Sequence, residues 1–401
     1  MKKGWKTKTL EEVCRFSNGL WKGEKPPFVN VGVIRNTNFT KDGALDDSDI
    51  AYLDVEAKKF EKRRLQFGDI ILEKSGGGPK QPVGRVVLFD KRDGDFSFSN
   101  FTAALRVLDS GELDFRYLHK FLYWTYVSGV TEGMQSHSTG IRNLDGDAYK
   151  AITISFPPLE EQRRIVGLLD EAFAGLATTK ANTEENLQNA RALFESHLQA
   201  VFTERGPRWV DKRLGDVLRT GAGGTPLKSE KEFYEGGTIP WLMSGEVSQG
   251  NVTAATKFIT SKGLENSSAR MFPPNTVLVA MYGATAGAVG ILRFEASTNQ
   301  AVCGILPSDE FVPEFLFYVL LAKKRELVDQ ATGNAQPNIS QIKIKNMRIP
   351  VIPRAEQDRI VSTLDDLSEQ TQRLAGLYEQ KVAALEALKR SLLHQAFTGA
   401  L

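Results

Sequence analysis

The segment "SFPPLEEQRRIVGLLDE" at 155–171 returns as "PVIPRAEQDRIVSTLDD" at 350–366, and this repeat constrains the architecture more than any other feature. Pro158, Glu161, Gln162, Arg164, Ile165, Val166, Leu169 and Asp170 recur as Pro353, Glu356, Gln357, Arg359, Ile360, Val361, Leu364 and Asp365, always 195 positions apart. The offset runs without a gap from Asn143 and Asn338 to Thr203 and Thr398. Upstream the match is looser. "WKTKTLEEV" (5–13) answers "WVDKRLGDV" (209–217), and "GDIILEKSGGG" (68–78) answers "PNTVLVAMYGA" (274–284). "PVGRVVLF" (82–89) answers "AVGILRFE" (288–295), and Asn100 answers Asn299. The chain is therefore two copies of one plan, a globular region of about 150 residues and then a helix.

Both helices begin after a proline with glutamate in the first turn, where the helix dipole favours negative charge. In the second copy Ile360, Leu364, Leu367, Thr371, Leu374, Tyr378, Lys381, Leu385, Leu388 and Leu392 alternate by four and three, a heptad seam. In the first copy Ile165, Leu169, Ala172, Leu176, Leu187, Ala190, Phe194 and Val201 make a rougher stripe. Glu160 to Thr203 makes a rod of about 65 Å at 1.5 Å per residue. A seam that long cannot be hidden in a small domain, so the two rods are expected to pair with each other, antiparallel.

The globular halves read mainly as strands. "FVNVGVI" (28–34), "GDIILE" (68–73), "GRVVLF" (84–89) and "AALRVL" (103–108) are β-branched or alternating runs between turn residues. Short helices are expected at 114–124 and 312–322, with their aromatics in the core. The apolar run "TVLVAMYGATAGAVGIL" (276–292) is short for a membrane span and broken by Gly283, Gly287 and Gly290, so it reads as strand, turn, strand. Cys14 and Cys303 are isolated, the four histidines are scattered, and no basic-then-apolar leader opens the chain, which suits a reduced cytoplasm and no membrane. Residues 1–150 hold 24 Lys+Arg against 21 Asp+Glu, and 205–354 hold 18 against 13. The stretches between and after them are mildly acidic, an imbalance of a size that chance commonly produces.

The duplicated "PPLEEQRRIV" and "IPRAEQDRIV", each closing a globular half and opening a long helix, resemble the specificity subunit of type I restriction–modification systems. "GGTP" (223–226), "GGTIPWLMSGEV" (236–247), "YGATAG" (282–287), "TNQAV" (298–302) and "ATGNAQPNIS" (331–340) carry the likeness in the second half. The first half departs from it at 18–39 and 71–85. The resemblance implies an α+β fold: two similar mainly-β target recognition domains separated by two long antiparallel helices forming a coiled coil, with a pseudo-two-fold internal repeat. Its domains would be 1–155 and 205–350, with helical spacers at 156–204 and 351–401. It further implies a bipartite, non-palindromic double-stranded DNA target and two docked modification subunits that methylate adenine. S-adenosylmethionine would be held by those partners and no cofactor by this chain; restriction subunits, the ATP-dependent translocase and nuclease, are further partners that the family admits.

Candidate DNA contacts come from glycine-bounded loops, where the backbone can approach a duplex. In the first half they are Arg35, Asn36, Lys74, Ser75, Lys80, Arg85, His137, Arg142 and Asn143. In the second they are Lys228, Trp241, Tyr282, Thr285, Asn299, Gln300, Asn334, Gln336 and Asn338. Arginine and lysine suit guanine edges or phosphates, and asparagine and glutamine suit adenine. Helix pairing is assigned to Ile165, Leu169, Leu176, Leu187, Phe194, Ile360, Leu364, Leu367, Leu374, Leu385, Leu388 and Leu392. A stand-alone methyltransferase with atypical motifs and a coiled-coil protein scaffold are the alternatives. "SFPPL" and "MFPPN" lack the acidic or amide residue and the aromatic that flank the prolines of a catalytic tetrapeptide. "GGGPK" lacks the spacing of a phosphate loop. No catalytic or metal-binding residue is therefore assigned.

Overall fold

A computed structural model describes the chain apart from residues 1–3, 21–22, 79–80, 139–140, 205 and 330–337, and apart from the side chains of 137 and 138. The chain forms two compact units. Unit 1 is Met1–Glu184 with Gln380–Leu401, and unit 2 is Glu185–Glu379.

In unit 1 the runs of β-branched residues form a four-stranded antiparallel sheet in the order Cys14–Asn18, Thr102–Val107, Ile70–Glu73, Val86–Leu88. A second sheet places Phe28–Ile34 between Ala51–Glu56 and Phe96–Phe98. A third pairs Gln135–Ser138, Ile141–Leu144 and Ser75–Gly77. Lys6–Thr9 pairs with Thr153–Phe156. Helix Phe115–Val127 buries Tyr117, Leu118, Phe121 and Leu122 against the first sheet.

Unit 2 repeats this plan. Thr220–Ala222, Val302–Ile305, Val277–Ala280 and Val289–Leu292 stand in the same order, with Asn251–Val252 added at the edge. Ile239–Leu242 lies between Phe258–Ile259 and Ala296–Thr298, and Val210–Arg213 pairs with Arg348–Val351. The run at 276–292 is thus an antiparallel hairpin, and among the described residues no helix is long and apolar enough to cross a membrane.

Matched backbone hydrogen bonds fix the correspondence between the copies. Leu10 N donates to Ile152 O as Leu214 N does to Met347 O, and Leu144 N to Lys74 O as Ile339 N does to Met281 O. Gly84 N donates to Glu73 O, and Gly287 N to Ala280 O. Both glycines sit at positive φ, +111° and +79°, where a Cβ is strained. These bonds correct the hairpin alignment drawn from sequence. Gly84 lies eleven positions after Glu73 but Gly287 only seven after Ala280, so one gap-free offset cannot hold across both strands. Likewise Thr102 N bonds to Ser99 O as Val302 N bonds to Asn299 O, so Ser99, not Asn100, answers Asn299.

The long helices span Leu159–Thr203 and Arg354–Thr398. Their repeated start is explained by one buried glutamine in each unit. Gln162, 0 % exposed, accepts from Asp114 N (2.8 Å) and donates to Glu112 O (2.9 Å) and Pro157 O (2.8 Å). Gln357, also 0 % exposed, accepts from Val312 N (2.8 Å) and donates to Glu310 O (2.8 Å) and Ile352 O (3.0 Å). Each glutamine thereby ties the first turn of a long helix to the start of the short helix before it.

Each unit also holds the far end of the other copy's helix. In unit 1, Phe397 packs against Tyr117, Phe121 and Trp124 with ring centroids 5.3–5.6 Å apart. In unit 2, Phe202, the residue equivalent to Phe397, packs on Phe315 and Trp209. Within unit 1, Lys389 lies 5.1 Å from the Phe173 ring and Lys180 bonds Glu386 at 2.6 Å, so the strands of the pair run in opposite senses. Within unit 2, Leu198 packs with Leu364 and Arg191 bonds Glu379 at 2.7 Å, again antiparallel.

The seam differs from the sequence assignment at two leucines. Ile165, Leu169 and Leu364 are buried, and Leu176, Leu187, Phe194, Ile360, Leu367, Leu385 and Leu392 are half-buried, but Leu374 and Leu388 are 37 % and 47 % exposed. The inward positions are instead Ala375 and Lys389. A leucine-based heptad count cannot see that Ala375, next to Leu374, is the less exposed of the two. Nor can it see that the Lys389 ammonium lies 5.1 Å from the Tyr123 and Phe173 ring centroids, bonds Asp42 at 2.6 Å and holds that carboxyl below its usual range.

Replacing Gln162 with leucine strands one N–H and two carbonyls in the core. At about 1–3 kcal/mol per unsatisfied group, it is expected to destabilise unit 1 by about 3 kcal/mol or more. Gln357→Leu should do the same to unit 2, and urea unfolding followed by hydrogen exchange will separate them. A second expectation concerns His119, which is buried facing Gly43 O at 3.0 Å and whose pKa burial pushes down to about 4. The unfolded chain then binds the extra proton between pH 4 and 6.5, so stability is full above about 6.5 and falls by up to about 3 kcal/mol toward pH 4. His119→Gln should flatten that part of the stability–pH curve measured by denaturation.

Candidate nucleic-acid interface

The third sheet of unit 1 gathers candidates that lie far apart in sequence. Ser75 and Asn143 are cross-strand partners, and the Ser75 hydroxyl donates to Asn143 Oδ1 at 2.5 Å. Asn36 enters from the turn after Phe28–Ile34 and donates from Nδ2 to Ser75 O at 2.7 Å, leaving Oδ1 without a partner. Arg142 is opposite Gly77, and its guanidinium reaches Gln135 Oε1 at 3.5 Å. Lys74 donates to Asn18 Oδ1 at 2.9 Å, and burial holds its pKa below the usual lysine range. Strand Gln135–Ser138 carries His137, whose backbone pairs with Arg142. Gly76, at φ +102°, lets the chain pass beside Asn36 and Phe101. Arg35 turns aside to the Asp49 carbonyl at 3.1 Å.

Unit 2 builds the same place with other side chains. Tyr282 occupies the position of Ser75 and forms a backbone bridge with Asn338, the counterpart of Asn143. Tyr282, Gln300 and Asn338 are exposed, and Thr285 is half-buried on the turn Gly283–Thr285. Gln300 Oε1 accepts from the Thr225 hydroxyl, which joins this rim to the exposed loop bearing Lys228. The duplicated fold thus presents a polar rim at equivalent positions in both units.

Three sequence candidates are turned inward instead. Arg85 forms a bidentate pair with Glu73 (2.7 and 2.8 Å) and also donates to Phe39 O and Asn36 O, with only 13 % of its side chain exposed. Trp241 is 4 % exposed, and its indole N–H donates to Gly224 O at 3.0 Å. Asn299 is 6 % exposed and accepts from Ala301 N at 3.2 Å. All three brace the loops that carry the rim, since their polar groups are engaged within the unit. Lys80, Asn334 and Gln336 lie outside the described residues.

Sequence reasoning missed Asn18, Phe101 and Thr225. Phe101 is 46 % exposed beside Gly76 and is the counterpart of Ala301, while Tyr282 supplies the exposed aromatic of unit 2. Each rim therefore offers one aromatic face, from a different strand.

A family model, the type I restriction modification DNA specificity domain, matches residues 2–189 and again 207–380, so the chain belongs to this family, with the domain present twice. The specificity subunit of the type I restriction enzyme EcoR124I/EcoR124II from Escherichia coli is 25 % identical over 283 residues, covering 68 % of each chain. That of MjaIX from Methanocaldococcus jannaschii is 30 % identical over 189 residues, 45 % of this chain and 43 % of the relative. Among solved structures, a chain from work on complex assembly and conformational transition of the type I R-M system superposes with a TM-score of 0.81, at 22 % identity, covering 100 % and 99 % of the two chains. The HsdS subunit from Thermoanaerobacter tengcongensis gives 0.63 at 21 % identity, covering 100 % and 98 %. These likenesses match the fold of two β-rich regions and two long helices.

Arg85→Ala leaves the carboxylate of Glu73, 1 % exposed, without its counter-charge. It is expected to cost about 3–5 kcal/mol in thermal or urea unfolding. Arg85→Lys should recover only part of this, because lysine cannot reproduce the bidentate fork.

Proposed function

We propose that this chain is the DNA-reading subunit of a type I restriction–modification complex and that each unit reads one half of a bipartite, non-palindromic target. The observation that carries this reading is the paired rim: the same backbone frame presents Asn36, Ser75, Arg142 and Asn143 in unit 1 and Tyr282, Thr285, Gln300 and Asn338 in unit 2. A shared frame that keeps an asparagine at 143 and 338 and changes the residues around it, as Ser75 to Tyr282, suits two half-sites of different sequence. Asparagine and glutamine suit adenine, arginine suits guanine, and the aromatic faces suit thymine methyl groups. The long helices act as the ruler between half-sites and as the docking surface for two modification subunits. Exposed Leu374, Leu377 and Leu388 offer apolar contacts there. Those partners would hold S-adenosylmethionine and methylate adenine, and this chain contributes recognition without a catalytic group.

The test is to assemble the full chain with its modification subunit and map methylated adenines by long-read sequencing. Exchanging residues 1–155 for those of a relative should change one half of the target and leave the other. Methylation by the chain alone, or a change in both halves, would overturn the reading. Asn143→Ala and Asn338→Ala should each relax discrimination in a different half-site by about 1–3 kcal/mol, roughly 5- to 150-fold, read as the ratio of methylation rates on matched and mismatched duplexes.

A further inference from the structure

The duplication provides an internal control for one cavity. In unit 1 a cavity of about 330 Å³ opens between the first sheet and helix Gly146–Lys150. Its buried part is apolar and aromatic, made by Leu72, Ala103 and Tyr149 with half-buried Phe16. Its more exposed part is polar, made by Asn18, Lys74 and Lys150. The Tyr149 hydroxyl is buried and has no hydrogen-bond partner.

In unit 2 the same place is filled from within. Asp145 and Ser340 cap equivalent short helices, so Gly146 corresponds to Gln341 and Tyr149 to Ile344. Gln341 reaches across to donate to the Thr220 hydroxyl at 2.8 Å, where unit 1 has Phe16. Met281, 2 % exposed, replaces Lys74, and Ala222 replaces Asn18. A Cβ at Gly146 would meet no atom within 4 Å, so unit 1 has room for a side chain there. Unit 2 thus carries Gln341, Met281 and Ala222 where unit 1 carries Gly146, Lys74 and Asn18, while Lys150 is shared as Lys345.

We propose that the unit 1 cavity binds a single nucleotide, with the base against Phe16 and Tyr149 and the phosphate at Lys74 and Lys150. A volume at the small end of the ~300–1,000 Å³ range of ligand pockets suits a ligand of one or two rings. Among the described residues the Lys74 ammonium has one acceptor, Asn18 Oδ1, and the Lys150 ammonium is paired with Asp147 at 2.8 Å, so the donors left for an anion are chiefly those of Lys74. Lys74 also adjoins Ser75 of the rim, so the inference rests on the DNA-reading function for its choice of a nucleotide over other aromatic anions. The nucleotide has two sources, a free mononucleotide or one extruded from the bound strand.

The two sources are separated by two measurements on the full-length chain. In the first, 2′-deoxyadenosine and thymidine 5′-monophosphates are titrated by calorimetry. Gly146→Gln, which imports the filler of unit 2, should weaken binding at least tenfold, and Lys150→Glu should weaken it severalfold. In the second, the complex with its modification subunit is mixed with target duplexes carrying 2-aminopurine at successive half-site positions. A fluorescence rise that Gly146→Gln abolishes marks a nucleotide taken from the strand. Should Gly146→Gln fail to fold, the charge reversal at half-buried Lys150 decides both arms. Absence of both signals in the wild-type chain, or signals that the variants leave unchanged, overturns the proposal. Methylation of the same target persisting in that case would leave the DNA-reading function standing, whereas loss of target methylation in the wild-type complex would sink that function instead.

Discussion

The side-chain amide of Gln162 lies wholly inside unit 1, and that of Gln357 lies wholly inside unit 2, each with three hydrogen bonds of 2.8–3.0 Å. A buried amide left without partners costs far more than a made hydrogen bond gains, so such a group specifies a single geometry. Here it specifies the direction in which a helix of 45 residues leaves a β-rich core. Small angular errors at the start of a helix grow along its length, so an anchor of fixed geometry matters more here than for a short helix. Leucine at this position would pack but would not orient.

Downstream of this anchor, the two units divide their sequence between frame and rim. The frame is held by the same contacts in both: the hydrogen bonds of Leu10 and Leu214, the turn glycines Gly84 and Gly287, and the aromatic clasps of Phe397 and Phe202. The rim is held by hydrogen bonds that do not recur, Asn36 with Ser75 and Ser75 with Asn143 in one unit, Thr225 with Gln300 in the other. Loop length changes only where it does not touch the frame, as between Glu73 and Gly84.

Much of this was legible in the residues because a gap-free repeat is a strong signal. The helices, the strand Phe28–Ile34 and the hairpin at 276–292 followed from periodicity and glycine placement. The misreadings share a physical origin. Leu374 and Leu388 are exposed while their neighbours Ala375 and Lys389 are half-buried, and a pattern of apolar residues does not weigh small or charged ones. Arg85 lies inside because Glu73, twelve residues earlier, neutralises it, and only the fold brings the two together. Gln162 and Gln357 were visible as repeated letters, but their role depends on Asp114 and Val312, whose distance along the chain hides the contact. The rim was found in part, since its loops are marked by glycine, and missed at Phe101, where the match of Asn100 with Asn299 was one residue out.

Separating frame from rim also explains how recognition can change without loss of the fold. Asn36 stands where unit 2 has Ser244, and Ser75 where it has Tyr282, exchanges of size and chemistry that leave the strands in the same register. None of these side chains belongs to the cores built around Leu10 or Leu214. A polar side chain at a solvent-facing edge changes stability by little, whereas a core or clamp residue changes it by several kcal/mol. The frame therefore admits new readers at the rim, whereas a change at Gln162 or Gln357 strands buried polar groups. The two copies in this chain are themselves the record of that tolerance.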